Sequence, residues 1–461
     1  MISHFPAVPS LPSPDTPSAS DPGSQRGRLG WLLLLLGLPL LLVLLWNRIP
    51  PRGTLPEPVS NGTSYPASPI PWTPREMESP AAVPSWTTHV QLADRNGDGR
   101  RDIIVCDARF NQVVSYDQTA DGGWTRSVLA TEIPAPAHAT LVDLDQDGRL
   151  DLVVSSLGNI WPDDLRVGKL IWLRNTGEAY EPVELLTDVR RVADAQPGDF
   201  DGDGDIDLAV AVFGYARGEI LWLENDGQQA FTSHQLFPAA GAIHGPVADF
   251  DGDGDLDIAA VVSQDREQVW GFDNDGKGTF TPRLLFESLN YDLGSAGLVK
   301  TDLDGDGDMD LLLPAGDNLE DSHSYPQPYH GCFWLENNAV SAKPTPWTFT
   351  SHRISNLGGT YAASAGDLDG DGDKDVVLVS MFNDWDRPGH ASLVWLENDG
   401  KQTFRPWQVE TDQTHLVTVD CADLNGDGRA EVVTGPLHLH PPFRNSPPAT
   451  LWTTASGKAA P

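Results

Sequence analysis

Beyond residue 70, apolar residues come in short runs behind acidic stretches. Examples are Ile103-Ile104-Val105, Leu208-Ala209-Val210-Ala211-Val212 and Val376-Val377-Leu378-Val379. Runs this short and this rich in β-branched residues, bounded by Asp and Gly, predict strands covered on both faces. A second recurring run carries a central Trp: Ile171-Trp172-Leu173-Arg174-Asn175, Leu221-Trp222-Leu223-Glu224-Asn225, Phe333-Trp334-Leu335-Glu336-Asn337 and Val394-Trp395-Leu396-Glu397-Asn398. Two of these lead into Asn-Asp-Gly, a hairpin signal. A third run, such as Phe231-Thr232-Ser233-His234, then alternates apolar with polar. One period therefore reads strand A, Asp loop, strand B, variable loop, strand C, tight turn, strand D. The Trp stripe reads as core packing.

The Asp loop follows D-x-[DN]-x-D-G-x-x-[DE] and starts at Asp94, Asp143, Asp199, Asp249, Asp302, Asp367 and Asp423. Four antiparallel strands in each period of about 50 residues describe a β-propeller blade. The expected fold is thus all-β, a seven-bladed propeller over residues 71–461. Only two strands follow the last loop, and Pro71-Trp72-Thr73 resembles Pro346-Trp347-Thr348 at the start of a D strand. Residues near 71–79 are therefore expected to complete blade seven and seal the ring.

The loop spacing has a chemical reason. Oxygens at positions one, three and five converge when the backbone curls, Gly at position six permits the turn, and a position-nine carboxylate closes the shell. Hard oxygen donors in that number suit Ca²⁺. The candidate ligands are Asp94, Asn96, Asp98 and Asp102; Asp143, Asp145, Asp147 and Asp151; Asp199, Asp201, Asp203 and Asp207; Asp249, Asp251, Asp253 and Asp257; Asp302, Asp304, Asp306 and Asp310; Asp367, Asp369, Asp371 and Asp375; and Asp423, Asn425, Asp427 and Glu431. An EF-hand is excluded, because its twelfth position needs Glu and here holds Val105 or Val210.

Asp loops feeding strands, with W-L-E-N-D-G hairpins, resemble the VCBS/FG-GAP repeat propellers related to integrin α heads. The resemblance implies a Ca²⁺ ion in each A–B loop. A literal Phe-Gly…Gly-Ala-Pro signature is missing, so integrin-like partner binding is not implied. The family includes adhesion modules, lectins and some sugar-acting enzymes, and fold alone does not choose among them.

The N-terminus is a different object. Residues 1–28 are Pro/Ser-rich and read as a disordered tail. Residues 29–46 are uncharged, mostly Leu, and flanked by Trp31 and Trp46. At about 1.5 Å per residue they span roughly 27 Å, enough for a transmembrane anchor. A cleaved signal peptide is the alternative. Residues 47–70 are Pro-rich and read as a tether. With the tail inside, the propeller lies in a calcium-rich, extracytoplasmic compartment.

Charge narrows the partners. In 461 residues, 66 Asp+Glu against 30 Lys+Arg leave a net charge of −36 with no basic cluster, which argues against nucleic acid. Cys106, Cys332 and Cys421 are too few and too scattered for a disulfide framework, and free thiols are expected. In a propeller, A–B and C–D connections share one face, while B–C and D–A connections share the other. The second face carries the uneven loops, and with them the candidate ligand residues Trp161, Asp164, Arg166, Tyr325, Tyr329, His330, Trp385, Asp386, Arg387 and His390. Five residues before the loop Asp, blades one to four hold His89, His138, Asp194 and His244 on the innermost strand. Polar lining of a wet channel is one reading of these four. A catalytic or metal site using His138, Asp194 and His244 is the other. The expected function is binding of carbohydrate or of an extracellular protein. A polysaccharide- or sugar-acting enzyme and a purely structural scaffold are the alternatives.

Overall fold

Every B strand of this protein is sandwiched between neighbouring blades, and that placement explains its unbroken apolar run. In the computed structural model, which describes residues 64–264, 266–317, 319, 326–339 and 347–454, the B strands Asp102–Asp107, Asp151–Ser156, Asp257–Val262 and Asp375–Ser380 are buried along their whole length. The tail, the apolar segment 29–46 and residues 47–63 of the expected tether lie outside the described residues; residues 64–70, also expected to be tether, pack on the propeller, Ala67 bridging Gln408 and Tyr65 donating to Asn356. Among those described, no helix is long and apolar enough to cross a membrane.

Seven four-stranded antiparallel sheets form. Six are built from consecutive strands, blade two for instance from Pro136–Val142, Asp151–Ser156, Gly168–Asn175 and Tyr180–Val189. The seventh takes its A, B and C strands from Leu416–Ala422, Glu431–Pro436 and Thr450–Thr454, and its D strand from Trp72–Glu76 near the start of the described chain. The closing register runs from Trp72 opposite Thr454 to Glu76 opposite Thr450. The expected seal is therefore present.

The core lies between blades. One cluster joins Leu144, Val153 and Trp172 of blade two to Val192, Val210 and Leu221 of blade three. Another spans the seam, joining Val433 and Leu451 of blade seven to Val90, Val105 and Tyr116 of blade one. Trp172, Trp222, Trp334, Trp395 and Trp452 are all buried, so the Trp stripe is core. Blade four departs from the Trp-Leu pattern at Gly271 for a packing reason. A Cβ there would stand 2.5 Å from the Trp347 ring, which stacks on Phe250 with centroids 4.9 Å apart.

Strand A has no neighbour on its channel side, so its inner backbone groups need other partners. At the seam, Thr418 Oγ1 accepts from the Val90 N–H at 3.0 Å and Asp420 Oδ2 from the Leu92 N–H at 2.8 Å. Elsewhere Thr140 Oγ1 donates to the Ala195 carbonyl at 2.9 Å. Polar side chains on strand A thus have structural work before any ligand is considered. Cys106 and Cys332 are buried, Cys421 is half-buried, and all three are free thiols.

Candidate functional site

On the A–B face, each loop folds onto its own first Asp. In blade three, Asp199 accepts from the Gly202 N–H at 2.8 Å and the Gly204 N–H at 3.1 Å, while Asp203 accepts from the Asp205 N–H at 2.9 Å. Gly202 and Gly204 both have positive φ, so position four needs the left-handed region as much as position six does. In blade two Gln146 holds position four at φ 56° without being Gly. Ligand oxygens gather within 4.8 Å in five blades: Asp143, Asp145 and Asp151; Asp199, Asp201 and Asp203; Asp249, Asp251 and Asp257; Asp302, Asp304 and Asp306; and Asp367, Asp369 and Asp371. Blades one and seven bring Asn96 and Asn425 instead, whose Oδ1 atoms accept from Asp98 and Asp427 N–H groups.

The position-nine acid joins the gathered oxygens in blades two and four, as Asp151 and Asp257, and it also has a backbone role. Asp310 accepts from the Leu303 N–H at 3.0 Å inside its loop and from the Asn337 N–H at 2.7 Å at the end of strand C. Asp102, Asp151, Asp207, Asp257 and Asp375 repeat the pair. Among the described residues, Glu431 has only the loop contact, from Leu424, plus the Asn425 amide. These carboxylates hold the A–B loop against the C–D turn.

Crowding leaves its mark on their acidity. Burial first, and then neighbours such as Asp251, push Asp257 up to about 8. Burial, with Asp306 and Asp310 close by, pushes Asp308 up to about 7. Both Asp308 oxygens and Asp145 Oδ1 are buried without a hydrogen-bond partner. An all-oxygen donor set with orphaned carboxylate oxygens fits a hard cation.

The opposite face opens into an axial cavity of about 410 Å³. His89, His138, Asp194 and His244 meet in its wall. The His89 and His138 rings are 3.8 Å apart and those of His138 and His244 6.1 Å. Asp194 sits between two of them, its Oδ1 3.3 Å from His138 Nδ1 and its Oδ2 3.6 Å from His244 Nδ1. It also accepts from the Gln196 amide at 2.9 Å and the Gly245 N–H at 3.0 Å. Burial opposes its charge, yet His138, His244 and that N–H hold the carboxyl far below the usual range. Burial lowers His89 and His138, against the pull of Asp194. His89 Nδ1 accepts from the Ala139 N–H at 3.4 Å, which puts its proton on Nε2. His138 and His244 turn Nδ1 towards Asp194, leaving their Nε2 atoms as base positions. The same layer in blades five to seven holds Gly297, Ala362 and Thr418, so the cavity is polar on one side and roomy on the other. Lys300 also lines it, donating to the Val247 carbonyl.

The other candidate residues divide. Trp161 is 47% exposed and Asp386 is exposed. Asp164 accepts from the Ala216 N–H at 3.0 Å, Arg166 pairs with Asp188 and Arg387 with Asp384. Tyr329 is half-buried, and Tyr325 lies outside the described residues. Trp385 is half-buried, donating Nε1–H to the Met381 carbonyl at 3.3 Å and lying 5.8 Å from the His415 ring. Two residues expected to face a ligand are turned inward. His390 is buried with Nδ1 2.9 Å from the Asp384 carbonyl, and His330 is fully buried. They order their loops from within.

His330 gives a pH test. Its Nδ1 accepts from the Gly359 N–H at 3.0 Å and the Gln327 N–H at 3.2 Å, so the ring must be neutral. Burial, with Arg353 beside it, lowers its pKa from 6.5 to about 3. Between those values the unfolded chain binds a proton that the folded one refuses, so stability falls as pH falls. His330→Gln keeps an acceptor and removes this contribution. Urea unfolding should show the variant losing about 2 kcal/mol less than the parent between pH 7 and pH 5. Equal losses would refute the assignment.

With this geometry in hand, the comparisons with known proteins agree on architecture. A model of the FG-GAP-like repeat matches residues 94–154, 199–260, 249–313 and 367–434. Virginiamycin B lyase from Staphylococcus aureus has a similar structure, at 10% identity and TM-score 0.50 over 83% of this chain and 99% of that one. So does a streptogramin B lyase, at 12% identity and TM-score 0.52 over 83% and 98%. BBS1N in complex with ARL6DN matches at 10% identity and TM-score 0.50 over 84% and 98%. Likeness at such identities concerns the fold alone. No curated protein sequence matches. The repeat matches cover more than half of the chain, and the chain belongs to the FG-GAP-like repeat family.

Proposed function

We propose that this protein is a calcium-loaded propeller, carried outside the cytoplasm on its N-terminal membrane segment, that binds a carbohydrate in the axial pocket. The carrying observation is the cavity itself, a concave site of small-molecule size with convergent polar groups, opening on the face that bears exposed aromatic rings. A pocket of that depth suits a sugar better than a flat protein surface. His89 offers a donor, while His138 and His244 offer acceptors. Trp161, rather than the half-buried Trp385, is the ring open to stack on a ligand.

Calcium supplies the countercharge that the loops need. The blades should differ in affinity. Blades three to six add Asp205, Asp255, Asp308 and Asp373 at position seven, whereas blades one, two and seven hold Arg100, Arg149 and Arg429 there. Arg100 and Arg149 pair with Asp98 and Asp147, candidate ligands of the same loops. Each occupied site stabilises the fold by about 2.7 kcal/mol at a hundred times its Kd. Chelation should therefore lower the melting temperature by tens of degrees, with blades one and seven at the seam yielding first in hydrogen exchange. A melting curve indifferent to excess chelator would sink the calcium assignment. For topology, protease added to intact cells should remove the propeller and spare the N-terminal tail. A protected propeller would overturn its placement outside.

The ligand is tested on residues 64–461, which contain every strand of the closed ring. On a glycan array this propeller should retain a defined glycan class, and His244→Ala should lose it at least tenfold with little change in melting temperature. An array without hits would overturn the carbohydrate reading. A second reading, sugar-acting catalysis, is favoured by Asp194 orienting two histidines. A base at His138 or His244 Nε2 would take a proton from carbon. The histidinium so formed would return the proton to the departing oxygen, held in place by the His89 Nε2–H, leaving a C=C bond. Mass spectrometry of the retained glycans after incubation decides, because cleavage lost in His138→Ala supports catalysis and intact glycans exclude it.

A further inference from the structure

The axial cavity changes character with depth. Strand A runs from the open face towards the Asp loops, so residues early in each strand lie at the mouth. There the wall is Leu157, Ile160 and Phe213 on one arc and Val417, Leu437 and Leu439 on another, with Gln264, Asp317 and Tyr361 on the arc between them. The two apolar arcs belong to two apolar clusters at the channel mouth, separate from the main inter-blade cores. Arg191 also lies at this level, but it donates to the Asn159 and Ile160 carbonyls and its guanidinium covers the Phe213 ring at 4.7 Å. One layer deeper, at the histidines and Asp194, the wall turns polar, and Gln91, Gln196 and Ser364 continue it below.

A sugar seated at the mouth would leave the hydroxyls that face the two apolar arcs unpaired, at a cost for each. An apolar chain would waste the donors and acceptors beneath. A molecule polar at its inner end, with an apolar portion lying along those arcs, matches both layers. The same face carries other exposed apolar side chains outside the cavity wall. Leu165 is 59% exposed, Tyr215 48%, Leu289 90% and Phe443 66%, all on connections of this same face.

We propose that the axial pocket takes a glycosylated amphiphile head first, with its sugar at the histidine layer and its alkyl portion in the apolar collar. The inference rests on the carbohydrate reading of this site and adds the aglycone. Binding of the head alone would be weaker, because Ile160 and Leu439, the half-buried members of the collar, would keep their contact with water. Each methylene that enters the collar adds affinity.

The test is calorimetry on residues 64–461 with methyl, butyl, hexyl and octyl β-D-glucoside, all below their micelle concentrations, and with octanol. Affinity should rise at least 30-fold from the methyl to the octyl glucoside, and octanol should bind more weakly than octyl glucoside. Ile160→Asn or Leu439→Asn, at half-buried positions that tolerate a polar group, should flatten the series while leaving the methyl glucoside unchanged. His244→Ala should weaken every glucoside. Equal affinities for methyl and octyl glucoside would overturn the proposal and leave the carbohydrate reading intact. Octanol binding as tightly as octyl glucoside would remove the sugar from the pocket and sink both. Octyl glucoside failing to bind at millimolar concentration would also overturn the proposal, and the glycan array would then decide the broader reading.

Discussion

One buried carboxylate per blade sets the terms for this molecule. The acid at position nine accepts backbone N–H groups from its own Asp loop and, in blades one to six, from the end of strand C. Replacing it with an apolar residue would leave two buried donors unpaired, each worth about 1–3 kcal/mol. Because it ties the A–B loop to the end of strand C in blades one to six, it fixes the entry to the C–D connection there. Most variation in loop length falls on the other face. The placement of a candidate ligand site is thus a consequence of where backbone hydrogen bonds must be satisfied.

The same carboxylates create an electrostatic difficulty. Burial and like charge raise several of them towards neutrality, Asp257 to about 8 and Asp375 to about 7. Protonation would relieve the repulsion but remove acceptors that the loops use. A bound cation relieves it without that loss. Asp194 solves the problem differently. Its neighbours are two histidines, an amide and a backbone N–H, and it stays ionised in a buried site without an added ion. The two faces hold their acids in opposite ways.

Much of the fold was legible because the repeat states it seven times. Strand order, blade count and the seal by residues 72–76 follow from spacing and from one Trp-containing echo. The His89, His138, Asp194 and His244 group was legible too, since equal offsets on innermost strands must converge at the axis. What escaped was anything decided by non-repeating contacts. His330 and His390 looked like loop histidines open to ligand, but neighbouring backbone groups draw both inward. Trp385 is held by the Met381 carbonyl through a contact with no sequence mark. Gly271 is explained by Trp347 of the next blade, and a reading blade by blade does not see across that interface. The need for a left-handed residue at position four was visible in six loops as Gly, and Gln146 hid it in the seventh.

A repeat fold also offers its own criterion for function. Residues present in every blade are accounted for by closing the ring, filling the spaces between blades or holding the loops. Residues that break the sevenfold pattern lack that account. At the channel layer five residues before each loop, four blades carry titratable side chains and three carry Gly297, Ala362 and Thr418. Ring closure would accept small residues in all seven, as Gly297 shows by leaving room for the Pro314 ring and the Tyr361 carbonyl. Setting three half-buried histidines around a buried carboxylate there has a desolvation cost that packing does not demand. This departure from symmetry falls in the layer that lines the cavity, beneath a mouth that is apolar on two arcs. That coincidence of broken symmetry, titratable side chains and open space separates the axial pocket from the seven acidic loops, where most residues follow the repeated pattern.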